Sequence, residues 1–304
     1  MLKILLAENS GFCFGVQRSL NLVKTVFNKD KVYLLGPLIH NNLVIKKLEE
    51  KGAIVVKTIK EIPENTVVII RAHGVAPEVY LQAKQKNLKI IDATCPFVKM
   101  VQDKAKSLNE KGYLVVIVGE KEHPEVKGIL GNAVKAVIIE KPAEVNSIFN
   151  KSNNKVSQKE LEKKSTNEEI NNNLFLPAYN KIGVVSQTTQ SNNNFAEIVK
   201  QLCFKGREVR AFNTICNATH QRQHSALEIA KKSDLMLVIG DKSSGNTKRL
   251  FELCSQVKET KWIESVKELQ DNWFENVKVV GVTAGASTPK WVIDEVIKLL
   301  EKVK

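Results

Sequence analysis

Cysteine and arginine are both scarce in this chain. Its 304 residues include five cysteines, and only six of its 46 Lys+Arg are arginine. Aromatic residues make up 6%. No two cysteines form a C-x-x-C pair, which excludes zinc ribbons and ferredoxin-type cluster runs. An odd cysteine count in a long chain without a secretory signal argues against a disulfide framework, leaving metal ligation or burial. No apolar run reaches the ~18 residues of a membrane span. The N-terminus turns acidic at Glu8, too early for a signal peptide, and lacks the Arg/Ser-rich character of a transit peptide. The expectation is a cytoplasmic protein with no membrane partner. With few arginines and few aromatics there is no basic–aromatic patch of the kind that grips nucleic acid, so no nucleic-acid partner is expected. The net charge of +13 then reads as a lysine-covered surface that favours an anionic small substrate.

What is present is a threefold repeat. Cys13, Cys95 and Cys216 each follow an extended apolar stretch, at 2–7, 88–91 and 208–212, and each precedes a helical pattern. The apolar positions of those helices are Val16, Leu20, Val23 and Val26; Val98, Val101, Ala105 and Leu108; and Ala218, His224, Leu227 and Ala230. A buried strand comes next and ends at Gly36, Gly119 or Gly240, which lie 23, 24 and 24 residues after the cysteine. A second strand, at 66–70, 181–185 and 277–282, runs into a polar loop and another helix. Apolar strands alternating with amphipathic helices predict parallel sheets covered by helices. The fold class is therefore α/β, with three related parallel-sheet α/β units in pseudo-threefold array. The units are expected at 13–95, at 96–214 and at 215–304, the last completed by the N-terminal strand within 1–12. A polar, low-complexity segment at about 147–180 reads as a surface insertion in the second unit, without a role in chemistry.

In such sheets, sites form at the carboxyl ends of the strands. The repeat therefore points three cysteines at one centre. Three thiolates without a fourth suit a [4Fe–4S] cluster with one open iron, with a three-Cys, one-His zinc site as the competitor. Cys203 and Cys254 fall inside helical patterns and read as core residues.

His40, His123 and Ser244 occupy equivalent first-loop positions, 27, 28 and 28 residues after their cysteines. His73, Thr188 and Ser287 fall in the second loops, and Gly245 and Asn246 follow Ser244 at the start of a helix. Imidazoles, hydroxyls, an amide and glycine N–H groups together make a cradle for an anion. Glu125 opens a helix just after His123, where an acid is favoured by the helix dipole; beside a cluster it is also a natural proton donor.

Gly11-Phe12-Cys13-Phe14-Gly15-Val16, Gly36-Pro-Leu-Ile-His40-Asn41, Arg71-Ala-His73-Gly74-Val75, Asp92-Ala-Thr-Cys95-Pro96, Glu122-His123-Pro124-Glu125, Ser186-Gln-Thr188-Thr189, Asn213-Thr-Ile-Cys216, Ser244-Gly245-Asn246 and Thr283-Ala-Gly-Ala-Ser287 together resemble the 4-hydroxy-3-methylbut-2-enyl diphosphate reductase family. The resemblance spans the chain apart from the insertion. It implies a trefoil of three α/β units around a central [4Fe–4S] cluster held by Cys13, Cys95 and Cys216. It implies that His40, His73, Ser244, Asn246 and Ser287 hold the substrate diphosphate, with Gly245 able to offer only its backbone N–H where many members carry a serine. His123 would help relay protons, Glu125 would donate the proton, and Thr188 would orient the hydroxyl. The implied reaction expels water with two electrons and two protons, yielding isopentenyl and dimethylallyl diphosphate, with ferredoxin or flavodoxin as electron donor. The rival enzyme is a three-cysteine cluster dehydratase or quinolinate synthase, which would need arginines for carboxylate substrates. A cluster-based regulator would need a basic recognition element, and a structural zinc protein would hold no iron.

Overall fold

The computed structural model describes residues 2–26, 31–151 and 179–303. Its strands are β1 (Lys3–Leu6), β2 (Val32–Leu35), β3 (Ala53–Val56), β4 (Val67–Ile70), β5 (Lys89–Asp92), β6 (Leu114–Val118), β7 (Ala136–Ile139), β8 (Tyr179–Ser186), β9 (Gly206–Ala211), β10 (Leu235–Ile239), β11 (Thr260–Ile263) and β12 (Val279–Ala284). The helices are α1 (Phe14–Lys24), α2 (Asn42–Glu49), α3 (Pro77–Gln85), α4 (Pro96–Glu110), α5 (Pro124–Leu130), α6 (Ala143–Lys151), α7 (Asn192–Leu202), α8 (Asn217–Ala230), α9 (Gly245–Ser255) and α10 (Lys290–Leu300). Most of the insertion expected at about 147–180 lies outside the described residues.

Three four-stranded sheets share one plan: β3-β2-β4-β5, β7-β6-β8-β9 and β11-β10-β12-β1. Every pairing is parallel, and β1 joins the third sheet beside β12, with Lys3 opposite Val279 and Leu6 opposite Val282. The central strands are buried on both faces, which explains why β2, β4 and β10 read as unbroken apolar runs. Helices cover both faces of each sheet, giving two apolar clusters per sheet. Each fully buried aliphatic side chain there stabilises the fold by about 1.5–3 kcal/mol relative to exposure. No helix among the described residues is long and apolar enough to cross a membrane.

Three features depart from the sequence reading. The edge strands β3, β7 and β11 are additional elements, each four residues long and only partly buried. An edge strand has one hydrogen-bonded neighbour and less apolar cover, so its pattern is weak. The buried side of α8 is not the apolar set Ala218, His224 and Leu227. It is Thr219, Arg222, Gln223, Ala226 and Ala230, and His224 is exposed. The first half of α8 faces polar chemistry between units, which removes the apolar periodicity. Cys254 is fully buried, but Cys203 is exposed at the C-terminal cap of α7, one position past buried Leu202 and turned away from the core.

Candidate active site

The three repeat cysteines are the N-caps of α1, α4 and α8, each following its strand with a non-helical backbone. Their backbones hang on the neighbouring strand's loop. Cys13 N–H donates to the Ala286 carbonyl at 3.1 Å, Cys95 to Ala72 at 2.9 Å and Cys216 to Thr188 at 3.1 Å. The same hydrogen bond, three times over, sets the three side chains into one cavity of about 800 Å³, open mouth included. His40, His73, His123, Glu125, Thr188, Ser244, Gly245, Asn246 and Ser287 line it too, so every candidate site residue converges there. Strand register makes Ala72, Thr188 and Ala286 equivalent, two residues past the paired positions Ile70, Ser186 and Ala284. The hydroxyl of Thr188 is thus particular to the second unit.

The cysteines fit an inorganic group larger than one ion. A single zinc ion brings its thiolates within about 3.8 Å of one another. Among the described residues, only His40, His73 and His123 have ligand atoms all within 4.8 Å of each other, so the three sulfurs are more widely spread. A Cβ on Gly15 would lie 2.5 Å from Cys95 Sγ and 3.9 Å from Cys13 Sγ, so the first turn of α1 must be bare where these two thiols meet. Burial raises the pKa of Cys95 and Cys216; the charges of Cys13 and Cys216 push Cys95 the same way, and those of Cys13 and Glu125 push Cys216 the same way. Cys95 and Cys216 would therefore ionise together only beside a compensating positive charge.

The histidine trio has different chemistry. Ring centroids are 4.3 Å apart for His40–His73, 5.2 Å for His40–His123 and 5.5 Å for His73–His123. His123 caps α5, its Nδ1 accepting the Glu125 N–H at 3.1 Å. Its proton therefore sits on Nε2, leaving a donor where a metal would need a lone pair. Burial, then the charge of Arg71, holds His40 below its ordinary pKa. Burial, then its two histidine neighbours, pushes His73 well below, and burial, then His40 and Arg71, brings His123 to about 3. His40 Nε2, His73 Nδ1 and Asn246 Nδ2 are buried without partners. Asn246 Oδ1 is already engaged by the Ala286 N–H at 2.9 Å, so its amide can only donate further. Ser244 caps α9, and Ser287 Oγ donates to the His40 carbonyl at 2.8 Å, tying third-unit and first-unit loops together. Neutral imidazoles, an amide and a helix N-terminus form a donor set for an anion.

Glu125 is 2% exposed. Its Oε1 accepts the Thr188 N–H at 2.6 Å and its Oε2 accepts the Thr188 hydroxyl at 2.9 Å. Burial lifts its pKa to about 7 against the pull of both hydrogen bonds. A carboxyl half-protonated near neutrality, on the wall shared by thiols and histidines, is equipped for acid catalysis.

Sequence reasoning missed Arg222, which lines the same cavity and is 2% exposed. The available signal was an arginine, in a chain that otherwise prefers lysine, two turns into the third cysteine's helix.

The LytB protein family model matches residues 4–301. The chain is 44% identical over 298 residues to a 4-hydroxy-3-methylbut-2-enyl diphosphate reductase of Pelobacter propionicus, covering 97% of this chain and 96% of that one. To the enzyme of the same name from Geobacter metallireducens it is 43% identical over 304 residues, covering 99% and 98%. Among solved structures, the E-1-hydroxy-2-methyl-but-2-enyl-4-diphosphate reductase of Plasmodium falciparum superposes with a TM-score of 0.85 at 29% identity, covering 99% of this chain and 88% of that one. A second, (E)-4-hydroxy-3-methyl-but-2-enyl diphosphate reductase, described as the terminal enzyme of the non-mevalonate pathway, gives a TM-score of 0.66 at 38% identity over the whole of both chains.

Proposed function

Because the chain belongs to the LytB protein family, we propose that it reduces 4-hydroxy-3-methylbut-2-enyl diphosphate, with two electrons and two protons, to isopentenyl and dimethylallyl diphosphate and water. The observation that carries this reading is the meeting of three helix-capping cysteines, the buried Glu125–Thr188 pair and the histidine cradle in one cavity. Cys13, Cys95 and Cys216 would hold a [4Fe–4S] cluster. When bound, that cluster supplies electrons and a Lewis-acidic iron. The electrons come from a small carrier such as ferredoxin or flavodoxin. All five cysteines are free, as a reducing compartment keeps them, and a cytoplasmic location belongs to the same reading.

The chain's own residues do the rest. His40, His73, Ser244, Asn246 and Ser287 bind the diphosphate, with His123 offering its Nε2 proton. The Thr188 N–H occupies Oε1 of Glu125, so the acid proton sits on Oε2. Thr188 Oγ1 then accepts from Glu125 and turns its own O–H toward the cavity. The proton passes from Glu125 through Thr188 to the departing hydroxyl, which leaves as water.

The cradle is expected to take up protons when it binds the anion. Its imidazoles are held neutral at pH 7, and a bound diphosphate reverses the balance of charge around them. Affinity for inorganic diphosphate should therefore rise as pH falls through the histidine range. Titration calorimetry in buffers of different ionisation enthalpy measures the uptake directly; no buffer dependence would refute it.

Gly245→Ser should lower KM by about tenfold or more, the scale of one hydrogen bond to a charged group. A Cβ there meets Gln187 Nε2 at 3.5 Å and His123 at 3.6 Å, ordinary contacts that leave room for the hydroxyl. Steady-state kinetics would show the effect in KM rather than kcat.

The function is tested by anaerobic turnover of reconstituted protein with a chemical reductant, with iron and sulfide measured on the same sample. Both five-carbon diphosphates with about four irons per chain are expected. A loaded cluster without turnover would move the substrate, and absence of iron would remove the cluster.

A further inference from the structure

Arg222 is a buried cation with no carboxylate partner among the described residues. It lies on α8, six residues after Cys216. Its Nη2 donates to the Gly11 carbonyl at 2.6 Å, whereas Nε and Nη1 are buried without partners. A guanidinium withdrawn from water costs several kcal/mol unless an anion compensates, and it does not escape by losing its proton. Arg222 lines the same cavity as Cys13 and Cys216, and negative charge on those two sulfurs favours its protonated form against the cost of burial. Its one hydrogen bond also ties α8 to Gly11, two residues before Cys13, so it links the Cys13 loop to the Cys216 helix.

We propose that Arg222 is a positioning residue for the cluster, donating its free N–H groups to sulfur on the Cys13–Cys216 side and raising the reduction potential. The inference rests on the cysteine reading above. Its physics is direct: reduction adds negative charge inside a desolvated cavity, where a fixed cation and donors to sulfur favour the reduced form. The imidazoles do not serve this role: in the reading above they face the diphosphate, and any protons they gain on binding answer its charge. Arg71 is a further cation in this part of the molecule, and it acts on the histidines; Arg18 is tied to the Thr94 carbonyl beside Cys95 at 3.1 Å.

The test is a redox titration, followed by electron paramagnetic resonance, of anaerobically reconstituted full-length wild type, Arg222→Lys and Arg222→Gln. Iron, sulfide, circular dichroism and affinity for inorganic diphosphate are measured on the same samples. With iron retained, Arg222→Gln should be at least tenfold harder to reduce, a shift of about 59 mV to more negative potential for one electron. Arg222→Lys should shift less, and diphosphate affinity should hold in both. Folded Arg222→Gln that loses iron while Arg222→Lys keeps it also supports the assignment. Full iron with an unmoved potential in Arg222→Gln overturns it. So does loss of iron from both variants, or a tenfold loss of diphosphate affinity, which would assign the guanidinium to the substrate. Wild type without iron would instead refute the cluster reading beneath it, and the proposal with it.

Discussion

Glu125→Gln is expected to lower turnover by ~10²–10⁴-fold, the usual contribution of a positioned general acid, while iron content and diphosphate affinity stay near wild type. The amide is a close copy of the protonated acid. Its oxygen can accept the Thr188 N–H, and its nitrogen can donate to Thr188 Oγ1, so both contacts of Glu125 survive. Only the transferable proton is lost. The pH dependence separates this from a general disturbance of the site. Glu125 has a folded pKa of about 7 against an ordinary 4.5, so its acid form is present below about 7 and is lost as pH rises. Wild-type kcat should fall above that point, and the residual rate of Glu125→Gln should not. The stability sign follows from the same shift. A carboxyl whose pKa is raised on folding costs stability as pH rises through the window from 4.5 to about 7. Glutamine removes that cost, so the variant should melt no lower than wild type above neutrality. Turnover within a few-fold of wild type would end the proton-donor assignment.

Loss of a cysteine should have the larger effect. Cys216→Ala is expected to leave a folded chain with little iron and no measurable turnover, because two ligands from separate units do not close a site that needs three. Gly15→Ala, which removes no ligand, should come close to the same result. Its methyl would sit 2.5 Å from Cys95 Sγ and 3.2 Å from Cys95 Cβ, well inside contact distance. The neighbour that must move is a short side chain fixed by the backbone bond from Cys95 N–H to Ala72. Iron analysis and visible absorbance after reconstitution are the measurements. Full iron in Gly15→Ala would show that the thiol trio is more adaptable than the packing around α1 implies.

Much of this site was legible because the repeat is written in local signals. Each cysteine ends an extended run and caps a helix, and each first loop places its functional residue five positions past the strand end, at His40, His123 and Ser244. These are spacings along the chain, visible without a fold. Arg222 and the buried polar face of α8 were not legible, since that helix lacks the apolar stripe that reveals which side is covered. Cys203 misled for a related reason. It follows a buried leucine in a helical pattern, but one residue turns a helix by about 100°, enough to bring it to the surface. The edge strands β3, β7 and β11 were missed because half-covered strands carry half the signal.

By itself the sequence determined the order of the inner strands and of the loops and helices that carry the site in three units, the three cysteines that begin those helices, and the donor chemistry of the loops. Periodicity and spacing are properties of neighbouring residues, and they need no partner to be read. The tertiary structure decided what depends on residues far apart. It brought β1 beside β12, set Glu125 against Thr188 across 63 positions of chain, and closed both away from water. Desolvation is what lifts the acid to about 7 and holds the histidines neutral, and desolvation exists only once distant segments have packed together.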